Sequence, residues 1–149
     1  MDGLAAWVSQ LQWGRLTELL VTAAAAVLCI CFHETCHGLA ALWLGDPTAK
    51  RMGRLSLNPM KHIDPMGLVM LVVAKFGWAK PVPIDVRYFK NPRAGMAITA
   101  LAGPLSNVFL SALAAAGYTA SMFYAIYFEL TFLETLAEFF FVVFYLSAG

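Results

Sequence analysis

The chain has 149 residues, of which 60% are hydrophobic and 13% are charged, whereas a soluble domain is usually about 45–50% apolar and about 25% charged. This composition excludes an ordinary soluble protein and predicts a membrane protein. The formal net charge of +1 at pH 7 gives no strong overall field, so we expect no nucleic-acid partner.

The first long apolar run extends from about residue 19 to residue 44 and is predicted to be a membrane-spanning helix. It exceeds the ~20 residues needed to cross a bilayer, and Gly45-Asp46-Pro47 ends it. The preceding stretch, Met1 to Trp13, lacks the basic start of a cleaved signal peptide. We therefore expect the helix to be retained as a membrane anchor.

Three ionisable residues within this run, His33, Glu34 and His37, form a His-Glu-x-x-His motif. Residues four apart share a helix face, so both imidazoles can bind one zinc ion while the glutamate acts as general base. Ionisable groups at membrane depth cost free energy and call for a functional explanation. The motif predicts a zinc peptidase site, and the alternative is a buried polar cluster that bridges helices.

The cysteines, Cys29, Cys31 and Cys36, lie in the same apolar run. Their odd number and close spacing argue against a disulfide framework. We predict that they are small, buried apolar side chains. The alternative is a ligand role for Cys29, which shares a helix face with His33.

Residues 45–93 are predicted to be loops around one re-entrant segment. The apolar stretch from Met66 to Ala74 is too short to span a bilayer. Basic residues flank it on both sides, and the positive-inside rule places both flanks on the cytoplasmic side. Residues 54–59 alternate and predict a short strand. Pro81 and Pro83 predict an extended segment, either a plain connector or an edge that holds a substrate extended.

Two further spanning helices are predicted at about residues 94–120 and 122–147. In the first, small or partly polar residues recur every four positions and form a ridge for close helix packing; they are Gly95, Thr99, Gly103 and Asn107. In the functional interpretation the amide of Asn107 reaches the active site, where it binds a substrate carbonyl or the developing oxyanion. The alternative is helix packing alone.

The predicted fold class is therefore an all-α polytopic membrane protein that forms one domain over residues 1–149. It contains three spanning helices and a short re-entrant or extended membrane-associated segment.

The ordered motifs between His33 and Asn107 resemble the site-2 protease family in its compact prokaryotic branch. The stretches that carry the resemblance are His33 to His37, Gly53 to Pro59, Lys61 to Gly67, Phe76 to Pro83, Asn91 to Arg93, and Ala102 to Asn107. Their common order is far more specific than any one of them.

The resemblance implies an intramembrane zinc metalloprotease in a prokaryotic cell membrane, with a membrane-protein substrate and the lipid bilayer as partners. It implies that His33 and His37 are zinc ligands and that Glu34 is the catalytic base. It places Asn107, from the Gly-Pro-x-x-Asn element, near the active site.

The chain departs from the family at the third zinc ligand, an Asp in a later Leu-Asp-Gly motif that does not occur here. We expect that the chain is C-terminally truncated. His62, Asp64 and Asp85 are the substitute candidates, and for each the preferred interpretation is a hydrogen-bonded loop residue or a solvated charge. The rival function is a catalytically impaired relative that acts as a membrane scaffold or binding protein. A metal transporter is a third possibility, which leaves the ordered motifs unexplained.

Overall fold

The computed structural model describes residues 13–74, 78–128 and 131–148. These residues form five α-helices: α1 (Trp13–Trp43), α2 (Thr48–Arg51), α3 (Pro65–Ala74), α4 (Pro92–Phe128) and α5 (Thr131–Ala148). Two 3-10 turns, Pro59–Lys61 and Val86–Tyr88, lie in the long connection between α1 and α4. The described residues contain no β-strand, so the prediction of a mainly helical protein is confirmed for this part of the chain.

Two of the described helices are long and apolar enough to cross a membrane, over Arg15–Trp43 and Pro92–Tyr127. They correspond to the first two predicted spans. The third predicted span corresponds to α5, which has 18 residues.

The three long helices, α1, α4 and α5, pack against one another. Their shared core consists of Ala25 and Cys29 from α1, Ala114 from α4 and Val143 from α5. Alanines at such contacts let the helix backbones approach closely, and the resulting van der Waals contacts hold the helices together. Cys29 is buried and free of disulfide bonds, as the sequence predicted.

The predicted end of the second long helix, near residue 120, is wrong. Helix α4 continues to Phe128, since residues 118–128 include no glycine and no proline that would end it. Pro104 lies inside α4 as expected. Its missing N–H removes one helical hydrogen bond without ending the helix.

The predicted strand at residues 54–59 is also wrong. The carbonyl of Ser56 accepts hydrogen bonds from the Thr35 hydroxyl at 3.1 Å and from His62 Nε2 at 2.6 Å. The next residues turn into the 3-10 segment, where the Asn58 side chain accepts from the N–H of Met60 at 3.0 Å. Side chains thus take the place of the neighbouring strand that a ladder requires.

Helix α3 has 10 residues, about 15 Å at 1.5 Å per residue, which is half of the ~30 Å hydrocarbon core of a bilayer. Asp64 caps its start by accepting from the N–H groups of Met66 at 2.9 Å and Gly67 at 3.3 Å. The Gly67 N–H contributes most to lowering the pKa of the Asp64 carboxyl. A Cβ on Gly67 would collide with the carbonyl of Trp78, so α3 lies directly against the segment at residues 78–80.

Candidate metal centre

Helix α1 places the two histidines of the motif side by side. The rings of His33 and His37 meet edge to face with centroids 4.6 Å apart, and their Nε2 atoms are 3.0 Å apart. A tetrahedral zinc ion with Zn–N bonds of about 2.0–2.1 Å separates two ligand nitrogens by about 3.3 Å. The spacing of the two nitrogens therefore fits a shared zinc ion.

A backbone carbonyl of helix α4 fixes the tautomer of the neutral His37 ring. The Nδ1 atom of His37 lies 2.6 Å from the carbonyl oxygen of Thr99, a residue with no exposed surface. A carbonyl can only accept, so Nδ1 carries the proton and the Nε2 of the neutral ring keeps its lone pair for a metal. The sequence singled out Thr99 as a packing residue and missed this contact, because the acceptor is its backbone.

Gly103 of α4 packs directly against both histidines. A Cβ at this position would collide with the Nε2 atoms of His33 and His37. The four-residue ridge of α4 therefore faces the histidines, and its one glycine opposite them is required by space rather than by backbone conformation. Any side chain there would push the two imidazoles out of their present positions.

Asn107 lies one turn beyond Gly103 and is half-buried. It lines a cavity of about 410 Å³ together with His33 and Glu34. Its Oδ1 is buried and makes no hydrogen bond of good geometry with the described residues, and the His33 ring is its neighbouring polar side chain. A buried polar atom without a partner costs free energy, which is expected of a group that binds a ligand or a substrate.

Glu34 is half-buried and faces the long connection. Its Oε2 accepts a hydrogen bond of 3.0 Å from the backbone N–H of Val82. The motif glutamate is thus held between α1 and the proline-flanked segment that the sequence predicted to be extended.

Two buried charged residues hold that segment in place, and no sequence pattern assigned a role to either side chain. Arg54 donates to the carbonyl oxygens of Lys61, Lys80 and Pro81, the last two at 2.9 Å. Asp46, which has no exposed surface, accepts from the N–H of Asp85 at 2.7 Å. Both side chains bind backbone groups far away in sequence, so no local sequence pattern predicts these contacts.

The three candidate substitute ligands, His62, Asp64 and Asp85, each bind other groups of the protein. His62 bonds to the Ser56 carbonyl and Asp64 caps α3. Asp85 pairs with Arg87 at 2.6 Å, and this guanidinium lowers the pKa of the Asp85 carboxyl to about 2. These contacts agree with the preferred interpretation of each as a loop residue.

Within residues 13–74, 78–128 and 131–148, no third His, Cys, Asp or Glu joins His33 and His37 in a metal-binding group. The thiol of Cys29, the alternative ligand on the same face, lies 3.3 Å from the Ser147 hydroxyl. The described donor set is therefore two imidazoles, which fit zinc in type and spacing.

Two histidines that flank a glutamate on an apolar helix, with a glycine of α4 packed against both rings, form the residue pattern of a metallopeptidase site. Known proteins with a similar sequence carry the corresponding description. The chain is 49% identical to the putative zinc metalloprotease YwhC of Bacillus subtilis over 79 residues, 53% of this chain and 36% of that protein.

The chain is also similar to proteins named putative zinc metalloprotease Rip2. It is 31% identical to that of Mycolicibacterium smegmatis over 100 residues, 63% of this chain and 38% of the relative. It is 32% identical to that of Mycobacterium tuberculosis over 124 residues, 76% of this chain and 46% of the relative. The chain thus spans less than half of the length of each of these relatives.

No model of a protein family matches the chain. No solved structure matches it significantly. The curated relatives are members of the site-2 protease family, and the chain belongs to that family.

Proposed function

We propose that the chain acts as a zinc-dependent intramembrane endopeptidase that hydrolyses peptide bonds of transmembrane or membrane-associated proteins. The main support is the pair of Nε2 atoms of His33 and His37, 3.0 Å apart on a helix long and apolar enough to cross a membrane. The names of the relatives, zinc metalloproteases, support the same chemistry.

His33 and His37 would hold the zinc ion through their Nε2 atoms. Zinc, when bound, would supply Lewis-acid activation of a water molecule and of the scissile carbonyl. The Glu34 carboxylate would take a proton from the attacking water and hand it to the leaving amine. The N–H of Val82 on Glu34 Oε2 orients this carboxylate for that task.

Asn107 would assist by binding the substrate carbonyl. Its amide lines the same cavity as His33 and Glu34, and an amide N–H aimed at a developing oxyanion lowers the barrier of acyl transfer. Asn107 would thereby fix the position of the scissile bond relative to Glu34.

The substrate would lie extended along residues 80–83, because a peptide bond inside a helix is shielded from attack. Pro81 and Pro83 have no N–H, and the N–H of Val82 is held by Glu34. The segment would therefore pair with a substrate strand mainly through its carbonyl groups. Two of these, from Lys80 and Pro81, already accept from Arg54, which leaves the carbonyls of Val82 and Pro83 as acceptors for the substrate.

The chain would cross the cell membrane three times, through α1, α4 and α5. Nine of its ten Lys and Arg residues lie between residues 50 and 93, and Arg15 is the tenth. The positive-inside rule places this connection in the cytoplasm, with α1 entering from the outside and the motif near the cytoplasmic face. Helix α3 would then be a re-entrant or interfacial element, since its length excludes a full crossing.

A second function, that of a scaffold or binding protein without catalysis, is favoured by one observation. A catalytic zinc ion usually takes three protein ligands, and the described residues supply two. On this alternative the two histidines would form a polar contact between α1 and α4.

Metal analysis of the purified chain separates the two functions. The peptidase proposal predicts about one zinc per chain, lost in the His33→Ala variant but retained in a His62→Ala control, because His62 is a buried histidine bonded to a carbonyl elsewhere. Zinc at background level in the folded wild-type chain would support the scaffold.

A further inference from the structure

A second cavity lies beside the candidate metal centre. It has a volume of about 440 Å³ and lies between α1, the turn at residues 59–64 and the segment at residues 78–79. Mostly apolar side chains line it, among them Ala23, Val27, Ile63 and Trp78. Its volume lies in the range of cavities that hold ligands.

The cavity adjoins the one that contains His33 and Glu34. Ala26, Ile30 and Ala79 line both this cavity and the one that contains the motif residues. A polypeptide bound at Glu34 would therefore have a neighbouring side chain within reach of the second cavity.

Two ionisable residues, His62 and Asp64, line the wall. The Asp64 carboxylate already accepts from the first N–H groups of α3. His62 is 2% exposed, and its Nε2–H donates to the Ser56 carbonyl at 2.6 Å. The neutral ring then has an acceptor at Nδ1, which is buried and has no hydrogen-bond partner among the described residues. Buried acceptors are rarely left without a donor, so a ligand that reaches this edge of the ring with a donor would satisfy it.

We propose that this cavity is a specificity pocket that binds a tyrosine or tryptophan side chain of the substrate close to the scissile bond. The apolar wall fits the ring, and the one phenol O–H or indole N–H satisfies His62 Nδ1. These two residues are also enriched where transmembrane segments meet the water interface. The inference deepens the proposed peptidase function and rests on it for the meaning of the pocket.

The experiment uses the full chain in nanodiscs and leucine-rich single-span peptides that carry Trp, Tyr, Phe or Ala at successive positions. At one position, Trp and Tyr are expected to raise the cleavage rate about tenfold over Ala, the effect of burying one aromatic ring. Phe is expected to be intermediate, because it fills the cavity and leaves His62 Nδ1 without a donor. Equal rates for Phe and Tyr would overturn the role of His62.

Two matched variants locate the effect. Ala23→Leu adds bulk to the cavity wall and is expected to abolish the preference for Trp and Tyr. Ala24→Leu makes the same change at an exposed neighbour that lines neither cavity, and it is expected to keep the preference. A preference that survives Ala23→Leu unchanged would overturn the proposal.

Binding of the same peptides to the Glu34→Gln variant separates this inference from the peptidase proposal. Tighter binding of the Trp peptide than of the Ala peptide, removed by Ala23→Leu, supports the pocket even if the wild-type chain cleaves nothing. In that case only the peptidase proposal fails. Cleavage with no dependence on Trp or Tyr at any position would leave the peptidase standing and overturn the pocket.

Discussion

The carboxylate of Glu34 accepts a hydrogen bond of 3.0 Å from the backbone N–H of Val82, 48 residues further along the chain. Val82 lies between two prolines, so it carries the one backbone donor of the segment Pro81–Pro83. Because this N–H donates to the motif glutamate, it is not available to a substrate strand. The contact joins the helix that carries the proposed chemistry to the extended segment along which a substrate would lie.

Removing the Val82 N–H should slow catalysis. In the Val82→Pro variant Glu34 loses its donor, and we expect kcat to fall by about tenfold, the worth of one hydrogen bond to a charged group. Val82→Ala is the matched control because it keeps the N–H and removes only the side chain. Steady-state kinetics on one substrate check this, and equal kcat values for the two variants would contradict the role given to the N–H.

Adding a methyl group against the two histidines should weaken metal binding. Gly103→Ala places a methyl group against the Nε2 atoms of His33 and His37, and we expect zinc affinity to fall by at least about tenfold through loss of ligand geometry. Gly117→Ala adds a methyl group in the same helix against the ring of Phe140. Competition with a zinc chelator measures both affinities, and a Gly103→Ala chain that binds zinc as tightly as Gly117→Ala would argue against the site.

Arg54 should be a major source of stability in the connection between α1 and α4. The Arg54→Leu variant leaves three carbonyl groups without their charged donor, so we expect a loss of about 2–4 kcal/mol of unfolding free energy. Arg51→Leu, at an exposed arginine three residues earlier, should cost less than about 0.5 kcal/mol. Denaturant unfolding in detergent measures both, and similar losses would refute the assigned role.

The Asp85–Arg87 pair should make a small, pH-dependent contribution to stability. The folded pKa of Asp85, about 2, is below the unfolded value of about 3.9. The pair therefore stabilises the fold above about pH 4, and its contribution is lost as the pH falls towards 2. The melting temperature of Asp85→Asn should lie slightly below that of the wild type at neutral pH and approach it in this window.

Salt provides the check on that prediction. Arg87 is 85% exposed in its side chain, so added salt should reduce the difference between the wild type and Asp85→Asn at neutral pH. A difference that grows on acidification would show that another group is responsible.

The sequence predicted the parts of this protein that depend on local periodicity. The spacing of His33 and His37 put both rings on one face of a helix, and the ridge around Gly103 indicated a close approach to another helix. In the structure these two predictions meet, since Gly103 faces both imidazoles. Spacing within one helix is fixed by helix geometry, so it can be read without knowing the fold.

The sequence did not predict the contacts that hold the connection together. Asp46 bonds to the N–H of Asp85, and Arg54 bonds to the carbonyl of Pro81. The partners are backbone groups, which every residue has, at separations of 39 and 27 residues. The prediction of a strand at residues 54–59 was wrong for the same reason. The Ser56 carbonyl binds the side chains of Thr35 and His62, which lie outside this stretch.

The most direct test of the central claim is the cleavage rate of the Glu34→Gln variant at a zinc content equal to that of the wild type. The amide keeps the shape of the side chain but cannot accept the proton of the attacking water. We predict full zinc binding and a loss of cleavage of at least about a hundredfold, the lower end of the contribution of a general base. Cleavage within a few-fold of the wild-type rate, with zinc bound, would contradict the account.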